Sequence, residues 1–216
     1  MSNQFRTINS KGLINKNKIL NFTFNGQTFQ GYEGDTLASA LIANGVHLVG
    51  RSFKYHRPRG FLGVGVEEPN AMVQLHEGDR SEPNIMATEV ELVEGLVANS
   101  QNCWPSVKFD IGEINNLLNR FFPAGFYYKT FMWPKSFWYK IYEPFIRKAA
   151  GFGVASTKHD NERYEHKYEY CDLLITGSGP SGLASAYAAA KNGAKVILSE
   201  DKSRFGGSLL TSEVSI

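Results

Sequence analysis

Apolar and polar residues alternate through Ile19-Leu20-Asn21-Phe22-Thr23-Phe24 and again through Gln27-Thr28-Phe29-Gln30-Gly31-Tyr32, with Asn25-Gly26 between them. Period two places every second side chain on one face, and Asn-Gly tolerates positive φ, so the stretch predicts a β-hairpin. Gly34-Asp35-Thr36 then precedes the apolar run Leu37 to Ala43 and Asn44-Gly45. Leu37, Ala40 and Leu41 fall on one helical face, with Asp35 the expected N-cap and Gly45 the stop. Ala71–Leu75 and Thr88–Leu92 read as short strands. The pattern weakens from about 99 to 168, where Pro123, Pro134 and Pro144 deny a long helix. It returns at Cys171-Asp172-Leu173-Leu174-Ile175-Thr176, which predicts a buried parallel strand. An alanine-rich helix from Leu183 to Asn192, a stop at Gly193 and a second strand over Lys195 to Glu200 follow.

Between that strand and helix stands Gly177-Ser178-Gly179-Pro180-Ser181-Gly182. G-x-G-x-x-G alone is weak, but here a strand precedes it, a helix follows, and a second strand ends in an acid. Ala186 and Gly193 extend the match. Gly177 permits the tight turn, Gly179 lets backbone approach a pyrophosphate, and Gly182 with Ala186 lets the helix lie close to the sheet. The helix N-terminus offers free N–H groups and a positive dipole end to phosphates, and Pro180 suits its first turn. The Glu200 carboxylate is suited to an adenosine ribose and would repel a 2′-phosphate, which favours NAD or FAD over NADP. Asp201, Lys202, Arg204 and the Gly206-Gly207 pair follow it. The expected cofactor-binding set is Gly177, Ser178, Gly179, Pro180, Ser181, Gly182, Glu200, Asp201, Lys202 and Gly207, and the motif by itself does not separate NAD from FAD.

The hairpin, helix and further strands of the first hundred residues describe an α+β roll of the β-grasp kind, and their order resembles a plant-type ferredoxin. The resemblance is sharpest at Arg59 to Ala71. Such relatives carry C-x4-C-x2-C there, and the matching positions are Gly63, Glu68 and Ala71, with the spacing kept and every thiolate gone. Iron–sulfur ligation needs thiolates or histidine, so no iron–sulfur cluster is expected.

Composition narrows the rest. Of 216 residues 42% are hydrophobic and 20% charged, enough for packed cores. The net charge of +2 gives no electrostatic case for nucleic acid or an anionic membrane. Neither a secretory leader nor a membrane span is evident, and the two cysteines, Cys103 and Cys171, cannot build a disulfide framework or a zinc site, so a soluble cytoplasmic protein is expected. The aromatics concentrate from Phe121 to Phe145, interleaved with Lys129, Lys135 and Lys140. A membrane-surface helix is denied by the prolines, and stacking on single-stranded nucleic acid finds no support in the net charge. An extended connector packing against neighbouring domains or a partner subunit is the reading that remains. The basic run Arg51, Lys54, His56, Arg57 and Arg59 reads either as a contact for a flavin phosphate or partner, or as an internally paired loop. His47, His76, His159 and His166 lack metal-ligand spacing, and no catalytic constellation is visible.

The stretches Gly50-Arg51-Ser52-Phe53-Lys54-Tyr55-His56-Arg57-Pro58-Arg59-Gly60, Glu67-Glu68-Pro69-Asn70-Ala71, Asn102-Cys103-Trp104-Pro105-Ser106 and Pro123 to Pro134, followed by the fingerprint, resemble the N-terminal part of the alpha subunits of the heterotetrameric sarcosine oxidase family. That resemblance implies a cluster-free ferredoxin-like domain (1–98), an aromatic and proline-rich connector (99–168) and the start of a Rossmann-like FAD/NAD-binding domain (169–216) that holds NAD, with FAD as the alternative. It further implies oxidative demethylation of sarcosine, a small-molecule amine, with the one-carbon unit passed to tetrahydrofolate. FMN and FAD would sit in a complex with beta, gamma and delta subunits. A related oxidoreductase acting on proline, opines or glycine, or a non-catalytic docking module, are the alternatives. One helix and two strands do not complete a dinucleotide domain, so the chain is read as a piece of a longer polypeptide, with no turnover expected from it alone.

Overall fold

The computed structural model describes residues 4–6, 14–121, 125, 129–159 and 161–210. Phe122, Pro123, Ala124, Phe126, Tyr127 and Tyr128 of the aromatic stretch lie outside the described residues. The chain forms two compact units, the first running to Asn161 and the second starting at Glu162.

In the first unit β1 (Asn15–Phe24) and β2 (Gln27–Glu33) pair antiparallel. Asn25 and Gly26, at φ 51° and 74°, make the turn between them. Leu20, Phe22 and Phe24 point inward, as the alternation requires. Helix α1 (Leu37–Ala43) buries Leu37, Ala38, Ala40 and Leu41 against them. Its N-cap is Thr36 rather than the expected Asp35. The Thr36 hydroxyl accepts from the Ser39 N–H at 3.1 Å while Ser39 Oγ accepts from the Thr36 N–H at 3.0 Å, a reciprocal capping box. Asp35 caps no backbone N–H of the helix because its buried carboxylate accepts from Arg6, at 2.6 and 3.0 Å, from the Ser39 hydroxyl at 2.7 Å and from the Tyr32 N–H at 2.9 Å. Gly45 ends the helix at φ 76°, as its position implies.

After the two-residue strands β3 (Gly50–Arg51) and β4 (Pro58–Arg59) come β5 (Met72–Leu75), β6 (Glu82–Met86) and β7 (Leu96–Ser100). The main sheet has the order β2-β1-β7-β5-β6, with β1 and β7 parallel and the other neighbours antiparallel. The strand expected over Thr88–Leu92 does not form. Val90 and Leu92 are buried, but their backbone groups serve the helix entry: Val90 O accepts from the Leu37 N–H, and the Leu92 N–H donates to Asp35 O. The ladder partners are instead Glu82–Met86, interrupted by Pro83 and by Asn84 at φ 64°, and Leu96–Ser100.

Between residues 111 and 149 the connector, expected to be extended, forms a succession of short helical turns among the described residues. They include α2 (Ile114–Leu117), a π turn at Trp138–Tyr142 and α3 (Glu143–Ala149), which Pro144 helps to start because a proline lacks no needed N–H there. Phe131 and Phe137 pack around Tyr142, whose hydroxyl donates to Trp133 O at 2.8 Å. Among the described residues no helix is long and apolar enough to cross a membrane.

In the second unit β8 (Leu173–Thr176) and β9 (Val196–Ser199) pair in parallel around α4 (Pro180–Lys191), a βαβ unit. β8 was expected to be buried, yet Leu174 is 58% exposed. Two strands, one long helix and a 3-10 turn at Gly207–Leu210, the described elements of this unit, do not cover both faces of the sheet.

Candidate functional site

The three fingerprint glycines meet three different demands. Gly177 leaves β8 at φ 90°, a conformation that favours glycine, and its N–H donates to Ser199 O at 2.7 Å, which ties the turn to β9. Gly182 faces its own loop. A Cβ there would stand 2.0 Å from Gly177 O and 3.4 Å from Ile175 Cγ2, so the helix can reach the strand only without a side chain. Gly179, the N-cap of α4, has ordinary extended backbone (φ −65°, ψ −179°), and nothing lies within 4 Å of where its Cβ would be. Its lack of a side chain answers no internal contact and leaves open space at the end of a twelve-residue helix. No side chain caps that end, so its first N–H groups face outward with the positive end of the dipole. Pro180 occupies the first turn, and Ser181 is exposed beside it. A cradle of this kind fits a pyrophosphate.

Ser178 is fully buried and joins the loop to the end of β9. Glu200 Oε2 accepts from the Ser178 N–H at 2.7 Å and from the Ser178 hydroxyl, while Oε1 accepts from the Asp201 and Lys202 N–H groups at 3.1 and 3.2 Å. The Ser178 hydroxyl, followed by its N–H, the Asp201 side chain and the Lys202 N–H, holds that carboxyl down to about 2. All four acceptor positions of the carboxylate are thus in use, so a ribose hydroxyl would have to displace or share one of these bonds. Asp201 and Lys202 contribute backbone N–H groups, and their side chains are exposed. Gly206 donates its N–H to Ser178 O at 3.0 Å and to Oγ at 3.2 Å, and Gly207 packs beside Gly179, its position for a Cβ lying 3.0 Å from Gly179 Cα. The structure therefore brings Gly177, Ser178, Gly179, Gly182, Glu200 and Gly207 together around one turn. Ser178 as a buried hub was not visible in the sequence, since the fingerprint leaves that position free.

The basic run of the first unit is mostly engaged internally. Buried Arg51 donates to Val107 O at 2.8 Å, His56 O at 3.0 Å and Lys108 O at 3.2 Å, and pairs with Glu113. His56 Nδ1 lies 2.6 Å from the buried carboxylate of Asp110. Arg57 stacks on Tyr55 and donates to Asn116 Oδ1 at 2.8 Å.

Iron has no ligand set in the corresponding loop. Gly63 and Ala71 offer no donor atom, the Glu68 carboxylate is taken up by backbone N–H groups, and among the described residues no cluster of three His, Cys, Asp or Glu side chains is arranged for a metal. Cys103 is elsewhere in the unit, on a cavity of about 570 Å³ that Phe24, His47 and Pro105 also line. Burial, reinforced by Asp110 and opposed by Arg51, pushes its thiol up, away from the thiolate that metals require.

Residues 17–103 match the profile of the 2Fe-2S iron-sulfur cluster binding domain, and residues 172–215 match that of FAD dependent oxidoreductases. The sarcosine oxidase subunit alpha of Rhizobium meliloti (strain 1021) is 58% identical over 206 residues, which are 95% of this chain and 21% of that protein. The same subunit of Corynebacterium sp. (strain U-96) is 31% identical over 199 residues, covering 91% of this chain and 16% of its own length. Among solved structures, L-proline dehydrogenase from P. horikoshii aligns with a TM-score of 0.43 and 17% identity, covering 95% of this chain and 28% of its own. The chain is thus homologous, over nearly all its residues, to sarcosine oxidase alpha subunits, of whose length it spans about a fifth.

Proposed function

We propose that the chain is the amino-terminal portion of the alpha subunit of a heterotetrameric sarcosine oxidase, a cytoplasmic enzyme that demethylates sarcosine oxidatively and passes the one-carbon unit to tetrahydrofolate. The observation that carries this reading is the 58% identity that extends through both units. The proposed partners are beta, gamma and delta subunits, with FMN and FAD in the assembled complex. In this reading residues 1–98 are a scaffold, 99–168 a connector and 169–216 the start of a Rossmann-like dinucleotide domain.

The role proposed for this chain is to hold a dinucleotide. Gly179 leaves room for the pyrophosphate, the α4 N-terminus supplies N–H groups and positive dipole, and Glu200 receives the ribose by giving up part of its bonding to Ser178. Gly177 and Gly182 keep the turn tight enough for these groups to share one end of the sheet. The likeness to FAD-dependent oxidoreductases supports FAD at this site, and the NAD assignment stands on the family resemblance alone. The bound dinucleotide supplies redox or structural capacity, while this chain's residues position it. Denaturing extraction of the protein purified from its host should release NAD or FAD at about one per alpha subunit, with sarcosine-dependent peroxide formation in the intact complex. Absence of both dinucleotides would overturn the site. Turnover of proline, an opine or glycine in place of sarcosine would redirect the substrate to a related amine oxidoreductase.

A second reading, a docking module without catalysis, is favoured by the exposed aromatics Trp133 (81%), Tyr139 (83%) and Phe121 (73%), which suit a protein interface. It predicts stable association with the other subunits and no bound dinucleotide.

A further inference from the structure

Residues 61–71 fold around one buried carboxylate. Glu68 is 1% exposed. Its Oε2 accepts from the N–H groups of Leu62 at 2.6 Å and Gly63 at 2.5 Å, and its Oε1 from those of Asn70 at 2.7 Å and Ala71 at 3.2 Å. Gly63, Glu68 and Ala71 are the three positions that keep the C-x4-C-x2-C spacing. The N–H groups of the two outer positions thus converge on the side chain of the middle one. Backbone N–H groups gathered into a concavity form an anion site, the device by which many iron–sulfur loops surround their negatively charged clusters. Here the anion is part of the chain. Thr88, also buried, reaches the same loop and donates its hydroxyl to Gly65 O at 2.9 Å.

We propose that the Glu68 carboxylate replaces an iron–sulfur cluster as the organising centre of loop 61–71, so that the loop keeps a cluster-type shape with no metal. Four N–H groups that a cluster would otherwise have to satisfy are satisfied internally, and none of the three spaced positions has a free donor atom for iron. The loop then presents Leu62, Val64 and Val66, exposed by 78%, 90% and 78%, from a backbone that is held rather than free.

The carboxyl is also held in its charged form. Burial pushes Glu68 up, but the N–H bonds from Gly63, Leu62, Asn70 and Ala71 outweigh burial and leave it below the usual carboxylate range. The other acidic groups around the loop are Glu67, which accepts from the Val64 and Gly65 N–H groups, and Glu89, whose Oε1 would lie 3.8 Å from a Cβ at Gly65.

The test is amide hydrogen exchange by NMR on the full chain. Glu68→Gln keeps the shape and removes the charge. The Leu62, Gly63, Asn70 and Ala71 amides should exchange at least about tenfold faster, while Phe22 and Leu96 in the sheet keep their protection. Unchanged protection at the four amides overturns the proposal. If the variant fails to fold, the wild-type chain decides by acid titration. The four amides should lose protection together as the Glu68 carboxyl protonates, and protection that survives its protonation overturns the proposal. Anaerobic incubation of the wild-type chain with ferric iron, sulfide and a thiol should give no protein-bound cluster absorption, and a [2Fe–2S] spectrum would equally overturn it.

Discussion

Ser178 and Glu200 are joined twice, by the Ser178 N–H at 2.7 Å and by the Ser178 hydroxyl, both donating to the same carboxylate oxygen. The link ties the glycine turn to the end of the second strand. Opening the hydroxyl bond would free one acceptor position for a ribose without loosening the backbone bond beside it.

Ser178→Ala removes the larger cause of the depressed Glu200 carboxyl, which should therefore rise from about 2 toward the ordinary range. The sign for stability follows. A carboxyl whose folded value is depressed stabilises the fold fully above its unfolded value near 4.5 and loses that contribution as pH falls toward 2. Side-chain carbon NMR of Glu200 across that window, with thermal melts at each pH, should show a flatter pH dependence in the variant.

Two glycines three residues apart in the loop should separate in a denaturation and binding comparison. Gly182→Ala would place a Cβ against backbone at 2.0 Å and should cost about 1–3 kcal/mol in the second unit, read by chemical denaturation. Gly179→Val meets open space and loses only a favourable N-cap residue, so it should cost no more than about 1 kcal/mol. Dinucleotide retention in the assembled protein should nevertheless be lost, as judged by denaturing extraction. Full retention by Gly179→Val would remove the pyrophosphate from this loop.

Arg51→Met should destabilise the first unit by at least about 1.5–3 kcal/mol, because Val107 O, His56 O and Lys108 O lose a charged donor. Flavin and dinucleotide content per folded molecule should stay unchanged. A fall in cofactor content without a fall in the thermal midpoint would return Arg51 to the ligand-contact reading.

Asp35→Ala leaves Arg6 without its buried partner and should cost about 3–5 kcal/mol, measured by urea unfolding. Arg6→Ala strands the carboxylate instead, and the double variant should be less destabilised than the two single losses added together.

Local signals carried far in this chain. The Asn25-Gly26 turn, the helix between Thr36 and Asn44, and the strand-turn-helix-strand order around Gly177 all follow from short-range patterning, which turn stereochemistry and period set directly. Long-range partners decided the rest. Asp35 reads as a cap until Arg6 claims it, and Val90-Glu91-Leu92 reads as a strand until its backbone groups bond to the helix entry. Strand β6 was hidden by Pro83 and Asn84, and the helical turns past Trp133 by aromatics packing on one another rather than along a stripe. The candidate site was legible as a list of glycines and an acid. What the acid holds was not, because Ser178 occupies a position that the fingerprint leaves open.

Strand β7 lies between β1 and β5 at the middle of the main sheet, although it is the last of the five strands in the chain. The hairpin of β1 and β2 therefore exists with one side unsatisfied until Leu96–Ser100 has been synthesised and can slot in. Its parallel pairing with β1 closes a loop of some seventy residues, the slowest kind of contact for a small domain to make. On the ribosome this unit should stay open to chaperones through most of its own translation and close late, in one step, as its centre arrives.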